Sequence, residues 1–127
     1  MIACMRFRRR QRAHHFTDED RKVQLADLEL LCGDLAQLYA ENGDSITAAA
    51  FADRSERAAS LQQTGWTRAD LNDLGGQFPD GGWWLNPKAA DFNAPRTPWQ
   101  DEVARIYPLA KNTADNLRAT ATLYKRS

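Results

Sequence analysis

Asp70 and Asp73 stand three residues apart, just ahead of Gly75-Gly76. Two carboxylates beside an irregular loop are a pairing that general acid–base catalysis uses when a cleft drives their pKa values apart. Asp70 also follows Thr67 by three residues, the spacing of a helix-start capping box, so local structure explains it without catalysis. A small enzyme built on Asp70 and Asp73 is therefore the alternative reading. His14-His15 is the only histidine pair, and it lies among five arginines with no further ligand nearby in sequence. Neither a metal site nor a histidine-activated nucleophile is expected there. Gly75-Gly76 and Gly81-Gly82 lack the Gly-Lys-Ser/Thr ending of a phosphate loop and the Gly-x-Gly-x-x-Gly of a dinucleotide loop. No catalytic residue, metal or cofactor is expected.

Residues 74–99 have the most unusual composition. Four of the seven glycines, four of the five prolines and three of the four tryptophans fall inside this stretch. Glycine and proline set an irregular backbone, while indoles need area to bury. The stretch predicts a long ordered loop carried by helices, and loops of that kind often hold function. Within it, residues 83–85 are expected as a brief extended piece. Adjacent side chains of such a piece point to opposite faces, so one of Trp83 and Trp84 is expected near the surface beside Asp80, Lys88 and Asp91. Trp83, Trp84 and Trp99 are expected first as a core lid that packs the loop onto the helices, at least two of them inward. The other reading takes an exposed indole of the Trp83-Trp84 pair as an anchor for a protein partner, since tryptophan is enriched at interface hot spots.

Formal net charge is zero, so overall charge singles out no polyanionic or polycationic partner. Its distribution is uneven. Residues 1–16 hold five arginines and no acid, whereas residues 17–44 hold eight acids against Arg21 and Lys22. Basic ends and an acidic middle can hold the termini against the acidic helix or present two faces to different partners. Residues 1–16 read as a flexible basic arm. Its Arg6, Arg8, Arg9, Arg10 and Arg12 could attract nucleic acid nonspecifically, but no helix in the rest of the chain shows a comparable basic face, so this reading ranks lower. No apolar stretch follows the arginines, so a secretory signal is not expected, and no run reaches membrane-spanning length. Two cysteines, Cys4 and Cys32, make no disulfide framework. Cytoplasmic residence is the expectation.

The positioning elements are helices. Thr17 precedes Asp18, Glu19 and Asp20, acids that suit a helix N-terminus. Leu25, Leu28, Cys32, Leu35 and Tyr39 then recur at three- and four-residue steps until Asn42-Gly43, predicting a helix over 18–41. An alanine-rich second helix over 46–63, capped by Asp44 or Ser45, packs closely on the first as an antiparallel hairpin. Thr67 and Asp70 open a short helix over 68–74. Thr97-Pro98-Trp99-Gln100 opens the last, over 98–124, with Val103, Ile106, Ala110, Leu117, Ala121 and Tyr124 inward. Pro108 is expected to kink or break it. Residues 17–127 thus read as one all-α domain: a helical hairpin, a short third helix, an ordered Gly/Pro/Trp loop and a kinked C-terminal helix.

This layout resembles the small all-α immunity proteins of bacterial interference systems, which neutralise toxins. The matching stretches are residues 25–39, Leu74-Gly75-Gly76 with Trp83-Trp84-Leu85-Asn86, and residues 103–117. Phe78-Pro79-Asp80 and the basic arm fall outside the resemblance. It implies a cytoplasmic protein that binds and blocks a cognate toxin and has no activity of its own. The leading expectation is accordingly a non-enzymatic protein-binding module. Its surface would combine an acidic face of the first helix (Asp27, Glu29, Asp34, Glu41) with the loop residues Asp80, Trp83, Trp84, Lys88 and Asp91. The carboxylates would steer a basic partner and an indole would hold it.

Overall fold

The computed structural model describes residues 18–85, 88 and 94–123, with side-chain placement for these except Trp83 and residues 120–123. The fold is all-α. Four helices follow in order: α1 (Asp18–Glu41), α2 (Ser45–Thr64), α3 (Arg68–Gly75) and α4 (Pro98–Leu123), with a 3-10 turn at Trp83–Leu85. No strand occurs among the described residues. The arm, His14-His15, Thr17, Asp91 and Tyr124 lie outside them.

Local chemistry accounts for the helix ends. At the close of α1, the Asn42 side chain donates to the Leu38 carbonyl (2.8 Å), and Asp44 then accepts from the Thr47 amide (3.0 Å) to start α2. That reversal is short, so α1 and α2 lie side by side as a hairpin. At α3 the capping box is complete. The Asp70 amide donates to the Thr67 hydroxyl (3.2 Å), and the Thr67 amide donates to the Asp70 carboxylate (2.8 Å). Thr97 and Gln100 make the equivalent reciprocal pair at α4.

The core is one cluster. Leu25, Leu28, Cys32, Leu35 and Tyr39 of α1 meet Ala48, Phe51 and Ala58 of α2, Leu71 and Leu74 of α3, and Val103, Ile106, Ala110, Ala114 and Leu117 of α4. Small residues set the closest approach. Gly75 sits against α4 so tightly that an added Cβ would lie 2.4 Å from the Ala114 carbonyl oxygen. Two expectations are narrowed or corrected. First, of the kink or break expected at Pro108 the break does not occur, and α4 continues through it. The proline lies on the exposed side of the helix, where water can take up the carbonyl it frees. Second, residues 83–85 are not extended. The Leu85 amide donates to the Gly82 carbonyl (3.1 Å) and closes a 3-10 turn, so alternation does not decide where the indoles point.

Candidate docking face between α1 and α4

Residues 76–85 are gripped from three helices. The Tyr39 hydroxyl of α1 donates to the Gly81 carbonyl (2.5 Å), and the Tyr107 hydroxyl of α4 donates to the Pro79 carbonyl (2.7 Å). Arg54 of α2 donates through Nη2 to the carbonyls of Gly76 (3.0 Å) and Gln77 (2.7 Å), with its guanidinium 5.7 Å from the centre of the Phe78 ring. Rings fill the space beneath. Tyr39 stacks on Phe51 and meets Trp99 edge-on, and Trp84 meets Trp99 edge-on, each pair with centroids 5.6 Å apart. Gly81 is needed here because a Cβ would fall 2.3 Å from Leu85 Cδ1 and 2.5 Å from the Tyr39 hydroxyl. Burial pushes the Tyr107 hydroxyl up to about 12, with the nearby Asp80 and Asp115 charges adding to it, and raises Tyr39 further.

This grip seats Trp84 in the core and Trp99 against it, as the lid reading expected, and removes Trp84 from the anchor set. Trp84 is only 6% exposed and belongs to the core, so it offers no surface to a partner. Asp80 is exposed, but its carboxylate accepts from the Gly82 amide within the turn (3.4 Å). Lys88 is exposed, whereas the side chain of Trp83 and all of Asp91 lie outside the described residues. Glu29 also leaves the expected face. It is half-buried in the hairpin seam, where its carboxylate accepts from Gln62 (2.8 Å) and its carbonyl accepts from Ser55 (2.8 Å). Glu29 lies two residues from Asp27, and so about 200° around the helix from it.

The other three acids remain together. Asp27, Asp34 and Glu41 are exposed and recur every seven residues, a spacing that drifts by only about 20° around a helix. They therefore form one stripe along α1, which Asp20 extends toward its N-terminus. Val23 and Leu30 share that side and are 55% and 67% exposed. Across from them runs α4, antiparallel to α1. Tyr39 touches Trp99 at one end, and Asp34 and Arg105 line the same groove farther along. Leu109, 53% exposed, lies one turn beyond Arg105 on α4, and Leu30 lies one turn before Asp34 on α1.

A groove of about 240 Å³ separates the helices, walled by Asp34, Leu38 and Glu41 on one side and Glu102, Arg105 and Ile106 on the other. Arg105 pairs with Glu102, and that hydrogen bond holds the Glu102 carboxyl below the usual range. Three carboxylates thus line the groove with a single guanidinium, and Asp27 continues the acidic stripe of α1 beyond it. Three of the four exposed large hydrophobic side chains among the described residues belong to these two helices, Val23 and Leu30 to α1 and Leu109 to α4; the fourth is Ile46 of α2. Sequence reasoning found the acids and missed Val23, Leu30, Glu102, Arg105 and Leu109. The available signal was that Val23 and Leu30 fall between the acids on the side of α1 opposite Cys32.

Asp70 and Asp73 are not brought to a common site. Asp70 is held by the capping box, while Asp73 lines a polar cleft of about 570 Å³ with Asp53, Arg54, Arg57, Asn72 and Arg118. Among the described residues, no group of three His, Cys, Asp or Glu side chains could hold a metal ion, and no helix is long and apolar enough to cross a membrane. The chain matches no protein-family model, no curated protein and no solved structure.

Proposed function

We propose that this protein is a non-enzymatic binding module that docks a basic protein partner on the α1/α4 face. The observation that carries the reading is that Val23, Leu30 and Leu109 are exposed on α1 and α4, the two helices whose groove is lined by Asp34, Glu41 and Glu102. Exposed leucines and carboxylates on the same two helices match the apolar centre and charged rim of protein interfaces. The carboxylates raise the encounter rate with a basic surface, and the apolar side chains then slow its release. The partner class we assign is a toxin, with this chain as its immunity-type inhibitor. The helical hairpin, the Gly75-Gly76 stop and the long last helix support that assignment through the resemblance drawn above. The cytoplasm is the proposed compartment, supported by a buried free thiol at Cys32 and the lack of a disulfide framework in the sequence.

The test is quantitative affinity capture from the native host with the wild-type chain and with Leu30→Glu/Leu109→Glu. A basic protein bound by the wild type and lost by the variant is the expected result. Equal capture by both chains would reject the face as the working surface.

A further inference from the structure

We propose that the chain's own residues 1–16 dock on the α1/α4 face and compete there with the partner, so that the protein carries a built-in regulator of its binding surface. The proposal rests on reading that face as a docking surface for basic chemistry.

Charge complementarity is the first argument. The arm holds Arg6, Arg8, Arg9, Arg10 and Arg12 and no acid, interleaved with Ile2, Met5 and Phe7. The face offers carboxylates at seven-residue intervals along α1 with exposed Val23 and Leu30 on the same side, and α4 adds exposed Leu109. Guanidinium forks pair with carboxylates in planar geometry, and the apolar side chains of the arm match the apolar strip.

Reach is the second argument. The arm joins the fold at Asp18, the first residue of α1, and the acidic stripe begins at Asp20. Sixteen residues extend to at most about 53 Å, and the 24 residues of α1 are about 36 Å long, so a chain doubling back from residue 17 can follow the whole stripe. The tether keeps the arm near the face at an effective concentration of roughly millimolar, so a weak contact is enough to occupy it.

The other acids offer a poorer berth. Asp53 and Asp73 line their cleft with Arg54, Arg57 and Arg118, so a basic segment meets three positive charges there. Glu29 is spent on Gln62 in the hairpin seam.

The proposal can be tested on residues 1–127 without a partner. Cys32 is fully buried, with its thiol pushed up to about 12 by that burial, so a thiol-reactive nitroxide at neutral pH labels Cys4. Amide resonances of residues 27–41 and 102–109 should broaden when the label is oxidised and recover when it is reduced. The broadening should be lost in Asp27→Asn/Asp34→Asn/Glu41→Gln and weakened by added salt. These are exposed helix positions, so an unchanged core amide pattern will confirm that the variant is folded. Absence of broadening on this face, broadening centred elsewhere, or broadening that survives the triple variant would overturn the proposal. A failed partner capture leaves this result standing, and failure of the label experiment leaves the capture standing, so the two readings can fall separately.

Discussion

Residues 76–85 and the α1/α4 face treat their exposed groups in opposite ways. In the loop, four carbonyls that a turn would leave to water accept from Tyr39, Tyr107 and Arg54, and the aromatic side chains Phe78 and Trp84 pack into or against the core. On the face, Val23, Leu30 and Leu109 stay in water and the carboxylates outnumber the cations. The loop has the unusual composition and the helices have the ordinary one, yet those four loop carbonyls are satisfied internally while the helices present exposed apolar and acidic side chains. Rare residue types signal structural difficulty as readily as function; a side chain left unpaired at the surface is the better pointer to a partner.

The contrast can be broken most severely at Gly81. Gly81→Val drives a branched side chain into Leu85 and the Tyr39 hydroxyl, with an expected loss of about 3 kcal/mol read from the urea midpoint. Tyr39→Phe removes the donor to the buried Gly81 carbonyl and should lower stability by about 1–2 kcal/mol; Tyr107→Phe should do less, because that bond is only part-buried. Alkali should act on the same grip. An unfolded tyrosine ionises near pH 10, whereas Tyr107 in the fold holds its proton to about 12 and Tyr39 holds its proton longer. Their contribution is whole below pH 10 and is lost as pH rises toward 12, because only the unfolded chain releases protons in that window. Urea midpoints measured from pH 9 to 12 should fall, and the slope should be shallower in Tyr107→Phe. The smallest effect belongs to the face. Leu30→Ser and Leu109→Ser should each change stability by no more than about 0.5 kcal/mol, and a large loss would show that the two leucines serve the fold rather than a partner.

Much of the fold was legible in sequence because its signals are local. The α1 stripe, the Asn42-Gly43 reversal, the Thr67/Asp70 box and the Thr97/Gln100 box each depend on residues within a few positions of one another. Pro108 shows where a local rule stops, since the missing amide is a local fact but whether the helix continues depends on solvent access. The candidate face was half legible. Asp27, Asp34 and Glu41 share a helix side by spacing alone, whereas setting Asp34 across a groove from Arg105 needed the packing of two helices far apart in the chain. Glu29 was misplaced for the same reason, because only the packed hairpin shows Gln62 waiting for it.

The sequence by itself determined four helices, their caps and the inward stripe of α1, because hydrogen-bond geometry and side-chain period act within a turn or two. The tertiary structure alone decided that Trp84 is among the inward indoles, that Tyr39 and Tyr107 hold the loop and that α1 and α4 leave apolar side chains exposed. Those outcomes depend on which distant surfaces meet, and burial is a property of the meeting rather than of either segment.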